Sequence, residues 1–101
     1  IKMAKNTANY ETVAIFNVQA GEEGLAALTE KFKALISANG TITNVEEWGK
    51  RRLAYPIQDE TEGHYLFVEF TSTPEFPAEL DRIYKITDGV LRSLIVVKNE
   101  D

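Results

Sequence analysis

Six periodic stretches account for most of the apolar residues in this chain, and their spacing sets the elements. Tyr10 to Val18 places Val13, Ile15, Phe16 and Val18 on both sides of an extended segment, the pattern of a central strand covered on one face and partly on the other. Gly21 interrupts it, and Glu22 and Glu23 follow where a helix N-terminus favours negative charge. Leu25, Leu28, Phe32, Leu35 and Ile36 then recur at three and four, one helical stripe from which Glu30, Lys31 and Lys33 are excluded. Asn39-Gly40 predicts a left-handed helix end.

The stretch from Thr41 to Ile57 reads as a long second strand whose apolar phase slips, so a bulge is expected between Ile42 and Val45 or at Gly49. Gln58 to Glu62 reads as a polar, acidic turn. From His64 to Phe70, Leu66, Val68 and Phe70 alternate with Tyr65 and Phe67, which predicts a third strand, again central. Thr73-Pro74 is a cap followed by a first-turn proline, with Pro77 allowing a start three residues later. Phe76, Leu80, Ile83 and Tyr84 form the second helical stripe, Asp88-Gly89 closes it, and Val90 to Lys98 supplies a last strand. Residues 1–9 read as a polar tail, with Met3 a candidate native start, 10–98 as a single domain and 99–101 as an acidic tail.

The order strand, helix, strand, strand, helix, strand predicts an α+β, ferredoxin-like split βαβ sandwich (βαββαβ). Its four-stranded antiparallel sheet runs in the order 4-1-3-2. Two right-handed crossovers put both helices on one face of the sheet, where each buries its single stripe. The other face is left open, and some of Tyr10, Tyr65 and Phe67 are expected on it, as a satellite apolar layer or a binding platform.

Within the second strand, Trp48 to Ile57 stands out. Three successive cations, Lys50, Arg51 and Arg52, precede Leu53, Tyr55 and Ile57, which a regular strand would put on one face. Gly49 suggests a bulge, and Pro56 belongs on an edge strand or at a strand end, because it cannot donate to a ladder. A basic bend on an edge strand is a place for a partner to bind, although most short basic runs serve only solubility.

Composition narrows the function classes. The net charge of -5 across 101 residues is the wrong sign for a protein that coats nucleic acid unaided, so contact with RNA would run through a patch. The same acidic body suits a strongly basic protein partner. The absence of cysteine rules out a disulfide framework and a thiolate site. No apolar run is long enough to span a bilayer and the first nine residues lack a signal-peptide core, so the chain reads as soluble and not exported.

Catalysis needs convergent groups, and the inventory is thin. His64 is the single histidine, and no carboxylate pair accompanies it at a metal-binding spacing. Ser37, Ser72 and Ser93 lie in no nucleophile elbow. Gly21 and Gly24 lack the other glycines of a dinucleotide fingerprint, and the acids Glu22 and Glu23 that follow Gly21 would repel phosphate. No enzyme, cofactor or metal is expected. The third strand, Gly63 to Phe70, lacks the basic lead of the RNA-recognition signature, which removes that module. A regulatory domain binding a small metabolite at a helix-strand loop stays open as the alternative, because fold alone does not decide function.

Three segments carry a family resemblance: Tyr10-Glu11-Thr12-Val13, the run Glu47-Trp48-Gly49-Lys50-Arg51-Arg52-Leu53-Ala54-Tyr55-Pro56-Ile57, and Ile86-Thr87-Asp88-Gly89-Val90-Leu91-Arg92. From Tyr10 to Lys98 the chain strongly resembles the bacterial small-subunit ribosomal protein six family. The resemblance implies a non-catalytic ferredoxin-like domain in the cytoplasmic ribosome that binds the central domain of 16S ribosomal RNA alongside ribosomal protein eighteen. It places the protein partner along the second strand, here Val45, Glu46, Glu47, Trp48, Arg52 and Leu53. It places RNA at Lys50, Arg51 and Arg52, at Tyr10 near the start of the first strand, and at Lys85 and Arg92 around the turn into the last. Thr87 and Ser93 stand where some relatives carry further arginines, which implies thinner RNA contact at that corner.

Overall fold

The computed structural model describes residues 7–57 and 60–98. The expected tail at 1–6, the residues at 58–59 within the expected turn, and the acidic tail at 99–101 lie outside the described residues. Seven elements follow in order: β1 (Ala8–Asn17), a 3-10 turn (Val18–Ala20), α1 (Gly21–Asn39), β2 (Gly40–Ile57), β3 (Glu60–Ser72), α2 (Phe76–Ile86) and β4 (Val90–Val97). The strands form one sheet in the order β2-β3-β1-β4, every neighbouring pair antiparallel. This is the βαββαβ arrangement that the periodicity predicts.

The pleat sorts side chains by face. In β1, Tyr10, Thr12, Ala14 and Phe16 are buried, and in β3 so are Leu66, Val68 and Phe70. They share one core with Phe32 and Ile36 of α1 and Phe76, Leu80 and Tyr84 of α2, so both helices cover the same face. Rings link the layers: Phe32 lies 6.0 Å from Phe16 and 4.5 Å from Tyr84, and Phe70 lies 5.8 Å from Phe76. The Tyr84 hydroxyl shares a 3.0 Å hydrogen bond with Thr12 Oγ1, which satisfies both polar groups in the core.

Several expectations need correcting. Tyr10 does not face the open side of the sheet; it is 7% exposed and stacks on Phe70 at 5.5 Å beneath the helices, because its phase is that of Thr12 and Ala14. β1 begins at Ala8, inside the expected tail, and Val18 turns out of it into the 3-10 turn. Gly40 is extended rather than left-handed; a Cβ there would lie 2.3 Å from the Thr71 carbonyl oxygen, so the glycine serves a close strand approach. Asn39 Nδ2 instead donates to the Leu35 carbonyl at 2.9 Å. Glu60 to Glu62 belong to β3 rather than to a turn, and α2 starts at Phe76 with Pro77, not Pro74, in its first turn.

Candidate nucleic-acid and partner interface

β2 is an outer strand, and three irregularities shape it. Its register against β3 shifts between Ile42 and Asn44, between Glu47 and Gly49, and between Arg52 and Ile57. The first two are the positions at which the apolar phase slips in the sequence. At the second, Gly49 has φ 80°, a conformation that L side chains rarely adopt, and the bulge re-aims its neighbours. Glu47 opposite Leu66 and Lys50 opposite His64 both end on the helix side, while Trp48 turns to the open face.

There Trp48 stacks on Phe67 at 5.3 Å and on Tyr65 at 6.2 Å. The guanidinium of Arg51 sits 5.5 Å above the indole, a cation–π contact. Trp48 Nε1 donates to Glu46 Oε1 at 2.9 Å and Asn44 Nδ2 donates to Glu46 Oε2 at 3.0 Å. These two donors, the indole first, hold the Glu46 carboxyl below its usual range. The aromatic row is therefore rimmed by an ionised acid on one side and a cation on the other.

The basic bend is solvent-facing, as its sequence suggests. Lys50, Arg51 and Arg52 are all exposed, with Lys50 only 3.9 Å from Glu62 and Arg52 paired in register with Glu62. The apolar alternation beyond them is not what a regular strand would give. Leu53 is buried, Ile57 half-buried and Tyr55 57% exposed. The ladder to β3 is interrupted between Arg52 and Ile57, so the three side chains differ in burial although all of them meet one cavity. Leu53, Tyr55 and Ile57 line a small cavity with Ile15, Tyr65 and Arg92, which shows the end of β2 curling onto the open face. Arg92 Nη1 donates to the Tyr55 hydroxyl at 2.6 Å.

The candidate residues thus separate into groups. Lys50, Arg51, Arg52 and Arg92 are exposed, the last tied to the curled end of β2 through Tyr55. Lys85, in the last turn of α2, pairs with Asp81 at 2.9 Å and shares a groove with Arg92 along β4. Tyr10 is buried apart from them. Of the partner candidates, Glu46 and Trp48 look to the open face, Val45 and Glu47 toward the helices, and Arg52 outward, whereas Leu53 is enclosed. The residue whose burial the periodicity overstates is Tyr55, and Pro56 beside it is the signal that the ladder is interrupted there.

No helix among the described residues is long and apolar enough to cross a membrane. The family model for ribosomal protein S6 matches residues 9–97. The chain is 48% identical over 92 residues to small ribosomal subunit protein bS6 of Clostridium perfringens, covering 90% of this chain and 97% of the relative. Identity to the same protein of Clostridium beijerinckii is 53% over 88 residues, 86% of this chain and 93% of the relative. The crystal structure of 30S ribosomal protein S6 from Thermotoga maritima superimposes with a TM-score of 0.86 at 28% identity, covering 92% of this chain and 89% of that one. Matched by the family model over nearly its whole length, and in fold by a solved member, the chain belongs to the ribosomal protein S6 family of the small ribosomal subunit, whose members are structural proteins rather than enzymes.

Proposed function

We propose that this chain binds the central domain of 16S ribosomal RNA in the cytoplasmic ribosome together with ribosomal protein eighteen, as a structural component of the bacterial small subunit. The observation that carries the reading is the exposed basic bend at Lys50, Arg51 and Arg52, set on an outer strand of an otherwise acidic protein. An outer strand offers unpaired backbone groups for strand addition, and a basic partner complements the body charge of -5. The bend, with Arg92 across the sheet, supplies the few cations that position RNA phosphates, while the partner supplies the rest.

Titration of central-domain RNA with this chain alone and with the partner tests the proposal. The chain alone binds feebly and the pair binds tightly; tight, salt-sensitive binding by the lone chain would overturn the cooperative assignment.

A further inference from the structure

A groove of about 490 Å³ runs between the first turns of α1 and the helix-side face of β2 and β3, within the size range of ligand-binding clefts. One wall is apolar, from Val18, Leu25 and Ala26. Thr29 also lines it, and its hydroxyl is out of place there. The residue is 4% exposed, yet the hydroxyl has no hydrogen-bond partner among the described residues. Thr87 shows the usual remedy for a helical threonine, donating back to the carbonyl four residues earlier, Ile83; Thr29 makes no such bond to Leu25. Buried polar groups are almost always satisfied by protein or by water, so Thr29 marks a place in this groove where an entering donor would find an acceptor.

The remaining lining indicates what enters. His64 stacks flat on Phe16, 6.4 Å away, and its ring nitrogens have no hydrogen-bond partner among the described residues. Glu22 and Glu47 lie at the mouth, and the one cation, Lys50, is drawn off toward Glu62. Two carboxylates only accept, a hydroxyl and an imidazole accept as well as donate, and the walls are aliphatic. That set suits a long apolar stem with a cationic, donor-only tip, and arginine more than lysine, because its planar fork of five N–H groups reaches several separate acceptors at once.

The groove opens at Glu47 and Lys50 on β2 itself, where the bulge has brought both side chains onto the helix side. A strand added to β2 presents alternate side chains to that face, and pockets that accept such side chains give strand addition its specificity. We propose that this groove is the anchor site for one arginine of the polypeptide that pairs with β2. This rests on the strand-addition reading of the proposed function and adds to it a second, side-chain determinant on the helix side of β2, next to the bend at Lys50.

The test measures binding of purified ribosomal protein eighteen to the full chain by calorimetry, with Thr29→Val and, separately, Glu22→Gln at the exposed groove mouth. Thr29→Val weakens binding about tenfold or more, the scale of a lost hydrogen bond to a charged group, while the free chain melts no lower than the parent. Partner arginines are then changed to methionine one at a time, and at one of them the Thr29→Val penalty disappears. Parent-like affinity in both groove variants, or a penalty independent of every partner arginine, overturns the arginine anchor and leaves strand addition standing. Failure of the parent chain to bind the partner overturns the proposed function instead. Should free amino acids raise the melting temperature in a way that Thr29→Val abolishes, the groove is a small-molecule site and the anchor assignment falls.

Discussion

Tyr55 and Arg92 join the two outer strands of the sheet across its open face. The guanidinium Nη1 of Arg92, on β4, donates to the phenol oxygen at the curled end of β2 over 2.6 Å. Both side chains are exposed, so the bond competes with water and contributes little to folding. Its effect is to orient Arg92. Tyr55→Phe therefore lowers stability by about 1 kcal/mol or less, and Tyr55→Ala by about 1 kcal/mol rather than the several that a core tyrosine would cost. Urea denaturation of the two variants checks this; a loss of several kcal/mol in Tyr55→Ala would mean that the curled segment belongs to the core.

Phe32 is where the first helix meets both the sheet and the second helix. Fully buried between Phe16 and Tyr84, it leaves a cavity when truncated, and Phe32→Ala costs about 3–5 kcal/mol. Leu28, half-buried beside Gly89, costs less than about 2 kcal/mol on the same change, because part of its surface is already hydrated. Equal midpoint shifts for the two variants would refute this ranking.

Burial pushes the Tyr84 hydroxyl up to about 12, only partly offset by its hydrogen bond to Thr12. A folded-state pKa raised above the unfolded value of about 10 means that, as the pH rises, the unfolded chain ionises first. Tyr84 thus causes no loss below about pH 10, and stability falls as the pH climbs from there through the folded value, by up to about 2–3 kcal/mol. Tyr84→Phe flattens this alkaline limb. Stability measured between pH 9 and pH 12 in parent and variant decides it, and identical slopes would refute the assignment.

What the sequence conveyed was the part that repeats. The stripes of α1 and α2 and the alternation of β3 follow from periods of three to four and of two, and these fixed the sheet order and the covered face. Tyr10 and Tyr55 depart from expectation for different reasons. Tyr10 lies near the start of β1, before any apolar alternation sets the phase, and the unbroken ladder to β3 gives it the phase of Thr12 and Ala14; Tyr55 lies where the ladder of β2 is interrupted, and its ring stays exposed. Gly40 was misread because a close strand approach and a left-handed cap both select glycine, and sequence alone does not distinguish them. The stacking of Trp48 on Phe67 needed the bulge at Gly49 to bring them together, a tertiary consequence without a local pattern.

The basic bend supplies the last prediction, because charge and fold are separable there. Arg51 and Arg52 are exposed, Arg51 resting on Trp48 and Arg52 facing Glu62 in register. Replacing both by glutamate forfeits a cation–π contact worth about 0.5–1 kcal/mol and sets like charges beside Glu62, so the melting temperature drops by a few degrees at most. Assembly responds very differently. If the bend faces phosphate, two reversed charges remove favourable contacts and add repulsion, and the partner-dependent affinity for the RNA falls by orders of magnitude at low salt, with a shallower salt slope for what remains. Partner binding without RNA should fall far less, and through Arg52 alone, the one of the two that also belongs to the partner candidates, since the outer backbone of β2 is unchanged. Normal assembly of the double variant with RNA and partner would reduce the bend to a solvated turn and leave recognition to the strand edge alone.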